Sequence, residues 1–233
     1  MIKHIPNTLT LLNLIAGFAA TIFALKGYNE YAAFAIMAGM LFDFSDGFAA
    51  RLLKAFSPLG KDLDSLADMV TFGIAPGAIV FNLLSAAGPG TYASFAIAAL
   101  IPAASALRLA RFNNDATQAT SFRGLATPAS AFTVISIVLA SSYTDLALPD
   151  TLAGSAWFIS LLSAFLAVMM LINMRMFSLK LSHLRWSGNE ERYIFALSGL
   201  LLLIFLGIAA APLIMAAYIV ISLVSGMVRR RRA

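Results

Sequence analysis

The chain contains no cysteine, which excludes disulfides, thiolate nucleophiles and zinc–thiolate sites together. Histidine is nearly as scarce: only His4 and His183 occur, and both read as interfacial residues. Charge is scarce too, at 12% of residues, against 61% hydrophobic. A soluble domain of this length buries its core with far fewer apolar residues. No long soluble domain, internal repeat or low-complexity tract interrupts the pattern. The net charge of +5 invites a nucleic-acid reading, but the bases fall at the ends of apolar runs, where lipid headgroups are. Membrane lipid is therefore the expected partner, and nucleic acid is not.

What is present is a series of apolar segments of the length that crosses a bilayer. About eight are visible: 9–24, 31–53, 58–83, 91–111, 126–142, 152–174, 193–209 and 211–227. The last two are separated only by Ala209-Ala-Ala-Pro212. The fold class expected is an all-α integral membrane protein with about eight transmembrane helices. Every Lys and Arg except Lys26 then falls on one side of the membrane, together with both termini. By the positive-inside rule that side is cytoplasmic. The opening Met1-Ile-Lys3-His4 and the apolar run after it have the look of a secretory leader. Cleavage there would leave seven spans and spoil the charge alternation, so the run is read as the first span. The Arg229–Arg232 tail reads as a topology determinant that touches anionic lipid. Residues 1–175 are expected to form the catalytic core, 176–192 a cytoplasmic loop, and 193–233 a C-terminal helix pair with its basic tail.

Against this background four aspartates stand out: Asp43, Asp46, Asp64 and Asp68. An ionised carboxylate in or near a bilayer is costly and persists only when a cation neutralises it. Clustered carboxylates without histidine suit a hard divalent cation bound through oxygen. At 3.6 residues per turn, Asp43, Asp46, Gly47, Ala50 and Arg51 share one helical face, and Gly60, Asp64 and Asp68 share one face of the next. Residues 54–58 read as the turn between them, with Ser57 capping the second helix and Pro58 at its first position. Counted from that turn, Asp46 lies about 10 Å deep, Asp43 about 15 Å, Asp64 about 6 Å and Asp68 about 12 Å. Two antiparallel helices thus present all four carboxylates near the cytoplasmic interface. Gly47, Ala50 and Gly60 clear bulk from the same faces. Two divalent ions sharing bridging carboxylates is the expected solution, and such pairs assist phosphoryl displacement. The plainer reading pairs the aspartates with Arg51, Lys54 and Lys61. Asp62 points away from the Asp64 face.

The run Asp43-x2-Asp46-Gly47-x2-Ala50-Arg51-x8-Gly60-x3-Asp64-x3-Asp68 resembles, without a gap, the signature of the CDP-alcohol phosphatidyltransferases. Residues 63–73, 108–113 and 122–128 are similar to the serine-accepting branch of that family, and Pro6-Asn7-Thr8-Leu9-Thr10 resembles its N-terminal nucleotide-contacting motif. Ala126 departs from the branch, which more often has proline there; the change is expected to alter loop stiffness and not chemistry. The resemblance covers residues 6 to about 130.

That resemblance implies a six-helix core, with two C-terminal helices added, in a homodimer. It implies transfer of the phosphatidyl group of CDP-diacylglycerol to the hydroxyl of L-serine with release of CMP, using two divalent ions (Mg or Mn) per site. Asp43 and Asp64 would bridge the ions, Asp46 would hold the first and Asp68 the second, with Asp68 also the catalytic base. Asn7, Thr10, Gly47, Ala50, Arg51, Ser57 and Gly60 would hold the nucleotide diphosphate. The serine carboxylate suits a two-pronged arginine contact. Arg111, with Asn113 beside it, is the first candidate; Arg108 and Arg123 are the others, and any of the three arginines equally fits a lipid-phosphate anchor. Alternatives are the same chemistry with glycerol 3-phosphate or an inositol phosphate as acceptor, a cation-coupled transporter, and an aspartate-rich prenyltransferase. The transporter predicts inverted repeats and mid-membrane charges on distant spans, neither of which is visible. The prenyltransferase spaces its aspartates differently.

Overall fold

The computed structural model describes residues 4–114, 124–174, 176 and 189–232, and every regular element among them is helical. The helices are α1 (Ile5–Leu25), α2 (Asn29–Leu52), α3 (Pro58–Asp68), α4 (Ala75–Ala87), α5 (Thr91–Ala98), α6 (Leu100–Asn114), α7 (Thr127–Tyr143), α8 (Ala147–Ala153), α9 (Ala156–Leu171), α10 (Glu190–Leu206) and α11 (Ala210–Arg232). The chain is an all-α membrane protein, since α1, α2, the 58–87 run and the 91–114 run are each long and apolar enough to cross a bilayer.

Two spans depart from regularity for reasons visible in the sequence. Between α3 and α4 the backbone widens into a π-helix over Met69–Ile74. Pro76 follows with no N–H to offer the preceding turn, and the helix accommodates it with a wider turn. On the same run, Gly73 and Gly77 let α6 approach closely: a Cβ would lie 3.1 Å from Ser105 Cβ at the first and 3.0 Å from Pro102 Cδ at the second. The second departure is at Gly154 and Ser155, where α8 and α9 meet at 75°. The expected span 152–174 is therefore filled by α9, with α8 bent away ahead of it, and Ser155 caps α9 by accepting from the Phe158 N–H.

The C-terminal apolar stretch 192–225 runs for 34 residues, far longer than one crossing needs. It folds back at Gly207, whose φ of 54° takes a conformation that few other residues adopt, and a short 3₁₀ turn covers Gly207–Ala209. Phe195 and Tyr218 stack edge-on with ring centroids 5.8 Å apart, which requires α10 and α11 to lie antiparallel. Two helices are thus present where two spans were expected, and the break comes before Pro212. Most of the expected 176–192 loop lies outside the described residues.

Around the future site the packing is tight. α1 packs along α2 and against α3, and four small or polar residues set the approach. A Cβ on Gly17 would collide with the backbone and hydroxyl of Thr71, and one on Gly39 would meet Thr71 and the Asn13 side chain. Thr71, fully buried, donates to the Asn13 carbonyl at 2.9 Å. This crossing fixes α1 and α2 relative to the helix that carries Asp64 and Asp68.

Candidate active site

The turn between α2 and α3 forms as its residues predict. Lys54 takes φ 49° as α2 ends, and the Ala55 N–H reaches back to the Ala50 carbonyl at 3.0 Å. Ser57 then caps α3, its hydroxyl accepting from the Gly60 N–H at 3.0 Å, with Pro58 starting the helix. The acidic faces of the two helices are thereby turned toward each other.

Asp43, Asp64 and Asp68 converge: one carboxylate oxygen from each lies within 4.8 Å of the other two. Asp46 is close enough for its charge to act on Asp43, Asp64 and Asp68. Its Oδ2 accepts a 2.7 Å hydrogen bond from the Thr10 hydroxyl. Among the described residues no lysine or arginine forms an ion pair with any of the four. The pairing with Arg51, Lys54 and Lys61 that the plainer reading expects is therefore not formed. The donor set is oxygen only, half-buried and strongly anionic, which fits a hard divalent cation held by Asp43, Asp64 and Asp68.

α1 supplies a third wall that the two-helix picture does not include. Asn13 is fully buried and its Nδ2 donates to Asp68 Oδ1 at 3.4 Å. Sequence reasoning missed this residue. The available signal was a polar stripe, Asn7, Thr10, Asn13, Gly17, recurring every three or four residues along an otherwise apolar helix.

The expected nucleotide contacts divide into two groups. Asn7, Ser57 and Gly60 are brought together: a Cβ on Gly60 would lie 3.1 Å from Ser57 Oγ and 3.2 Å from Asn7 Oδ1. Across the cluster, Gly47 has open space where a side chain would stand, beside half-buried Ala50 and exposed Arg51. Thr10 instead faces Asp46 and the Pro6 carbonyl, so its hydroxyl orients a carboxylate.

The arginines separate clearly. Arg108 is 8% exposed, with its charge acting on both Asp68 and Tyr218. Arg111, the first candidate from sequence, is exposed and donates to the Leu171 carbonyl at 3.2 Å. It satisfies the C-terminal end of α9, alongside the Leu125 N–H on Met169 O at 2.8 Å, and the Gly124 N–H bonds Met174 O just past the helix, also at 2.8 Å. Asn113 lies on the Asp62 side of α3, bonded to Ser65 Oγ at 2.8 Å, while its carbonyl accepts from Lys61 Nζ. A cleft of about 390 Å³ opens there, walled by Asp62, Ser65, Met69 and Asn113, away from the acidic face. Arg123 lies outside the described residues.

The family model for CDP-alcohol phosphatidyltransferase matches residues 3–169. Among curated proteins, the CDP-diacylglycerol–serine O-phosphatidyltransferase of Bacillus subtilis is 32% identical over 66% of this chain and 85% of its own length. The protein of the same name from Mycobacterium leprae is 35% identical over 59% of this chain and 47% of its own. The archaetidylserine synthase of Methanothermobacter thermautotrophicus is 32% identical over 61% and 60%. The chain thus spans about half the length of the mycobacterial relative and most of that of the Bacillus one. With the aspartate signature folded into one anionic pocket and the matched region covering most of the chain, this protein belongs to the CDP-alcohol phosphatidyltransferase family.

Proposed function

We propose that the protein transfers the phosphatidyl group of CDP-diacylglycerol to L-serine, releasing CMP, at the cytoplasmic face of the inner membrane. The observation that carries this reading is the convergence of Asp43, Asp64 and Asp68, with no Lys or Arg ion-paired to them among the described residues. It is the arrangement needed beside a diphosphate, and three relatives bear names of serine-accepting synthases. The cytoplasmic assignment rests on the distribution of Lys and Arg. A homodimer is part of the proposal by family likeness.

Two Mg or Mn ions held by Asp43, Asp46, Asp64 and Asp68 would neutralise the diphosphate and stabilise the departing CMP. The protein's own groups do the rest. Asn7, Gly47, Arg51, Ser57 and Gly60 line the space for the nucleotide diphosphate, with Gly47 open to close approach. Thr10 holds Asp46, and Asn13 holds one oxygen of Asp68. Asp68 accepts the proton of the serine hydroxyl as its oxygen bonds to the β-phosphorus; the bond from that phosphorus to the CMP oxygen breaks and CMP leaves. Arg108, buried and near Asp68, is better placed than Arg111 to meet the serine carboxylate.

Purified protein in detergent with magnesium or manganese should release CMP from CDP-diacylglycerol when serine is added, and chelation should stop it. CMP release with glycerol 3-phosphate or an inositol phosphate, and none with serine, would replace the acceptor while keeping the chemistry.

A further inference from the structure

Three buried polar atoms on two different helices, Arg108 Nε, Thr127 Oγ1 and Ser130 Oγ, close no hydrogen bond among the described residues, and the buried Ser222 of a third helix faces them with only Tyr218 beside it. Thr127, Ser130 and Ser222 are fully buried, and Arg108 is the sole buried cation among the described residues. Stranding one such group inside a membrane protein is costly, and stranding several together implies that something polar fits between them.

Their placement is consistent with one chamber. Thr133 and Ile137 of α7 share a cavity wall with Ala216, Ile219 and Val220 of α11, so these two helices run side by side. Moving toward the acidic cluster, Ser130 lies one turn from Thr133 and Ser222 one turn from Ile219, on the same facing stripes. Tyr218, a turn before Ser222, lies within hydrogen-bonding reach of the Ser222 hydroxyl, and its phenol also lies near Arg108. Arg108 in turn faces Asp68. The path from the expected catalytic base to α11 is therefore short and polar.

We propose that Arg108, Ser130, Tyr218 and Ser222 wall the subsite for the acceptor alcohol, and that α11, outside the family-matched residues 3–169, supplies half of that wall. The inference rests on the transferase reading above. One guanidinium among neutral hydroxyls suits a zwitterionic amino-acid alcohol: the carboxylate meets Arg108, and the hydroxyls accept from the ammonium group. A phosphorylated acceptor brings a dianion, which a single buried cation does not balance.

Ser222→Ala and Tyr218→Phe test this in full-length protein, by CMP release at varied serine and varied CDP-diacylglycerol, with the unfolding temperature as control. Tyr218→Phe keeps the ring that packs on Phe195 and removes only the hydroxyl. Each change is expected to raise the serine KM about fivefold to tenfold, the effect of one lost hydrogen bond. The CDP-diacylglycerol KM should stay within twofold. An unchanged serine KM in both variants, or equal effects on the two substrates, overturns the chamber. Wild-type protein that uses another alcohol and not serine overturns the acceptor reading, and the chamber is then scored on that alcohol's KM. Wild-type protein that releases CMP with no alcohol overturns both.

Discussion

The α1–α4 region and the C-terminal hairpin are both apolar membrane helices, yet they are built to different tolerances. Over its most apolar stretch the 58–87 run is 56% buried, while the 192–225 run is 17% buried. At the first, helices meet at glycines with no room for a methyl group; at the second, a Cβ added to Gly199 would still stand 4.0 Å from the Ile214 side chain. The polar content differs likewise. Near the acidic cluster, Thr10, Asn13 and Thr71 spend their hydrogen bonds on fixing carboxylates and a helix crossing. Between α7, α9 and α11 there is instead a cavity of about 490 Å³ walled almost entirely by apolar side chains such as Ile137, Phe158 and Leu213. Where carboxylates must be held in place, helices are locked by backbone contact; along the lipid-facing length of the hairpin, loose side-chain packing suffices.

The largest effect is expected where the two regions differ most, at Asp68. Asp68→Asn keeps the shape and the neighbourhood of Asn13 but removes the proton acceptor. Turnover should fall by about a thousandfold or more, with CDP-diacylglycerol binding largely retained. Turnover within tenfold of wild type would show that the proton leaves by another route.

The same substitution at two glycines gives a direct contrast. Gly17→Ala forces a methyl group into the Thr71 backbone, which cannot rotate away as a side chain would. The expected cost is about 1–3 kcal/mol, with loss of activity because the helix carrying Asp64 and Asp68 shifts. Gly199→Ala meets only an ordinary contact and gains up to about 1 kcal/mol of helix propensity. Unfolding temperatures of both variants, measured in one detergent, decide the matter: equal shifts would mean that the two regions are packed alike.

Most of the site was legible because its signals are local. The interval from Asp43 to Asp68 and the Ser57–Pro58 helix start depend on residues close in sequence; the structure starts α3 as read and brings Asp43, Asp64 and Asp68 together, with Asp46 turned to Thr10. What was not legible depends on partners far along the chain. Asn13 matters only because α1 lies against α3, and Arg111 and Arg108 are indistinguishable until α9 and α11 are placed beside them. Hydropathy found the C-terminal pair, but the turn falls at Gly207 because a positive φ, and not the proline, makes the reversal. The π-helix at Met69–Ile74 carries no hydropathy signal at all.

Arg111 offers a smaller effect that separates anchoring from substrate binding. Its guanidinium bonds the Leu171 carbonyl at the open end of α9. Arg111→Ala should lower stability by about 1 kcal/mol, the usual size of a lost cap, and leave the serine KM within twofold. Arg108→Ala should do the reverse at the active site, raising the serine KM at least tenfold, as expected for a charged hydrogen bond. A serine KM that responds to Arg111 and ignores Arg108 would restore the assignment read from sequence.

The smallest effect tests the loop before α7. Ala126 has φ −64° and ψ 143°, the conformation a proline ring imposes. Its carbonyl accepts from the Ser130 N–H at 3.0 Å, and its own N–H donates no backbone hydrogen bond among the described residues. Gly124, two residues earlier, is already held with φ 72° against the carbonyls of Met169, Met170 and Ile172, so the approach to α7 is anchored without help from residue 126. Ala126→Pro should therefore raise stability by about 0.4–1 kcal/mol through the unfolded chain alone, with turnover unchanged. A rise in unfolding temperature accompanied by altered kcat would mean that this loop moves during the reaction, and that alanine is kept here for its freedom.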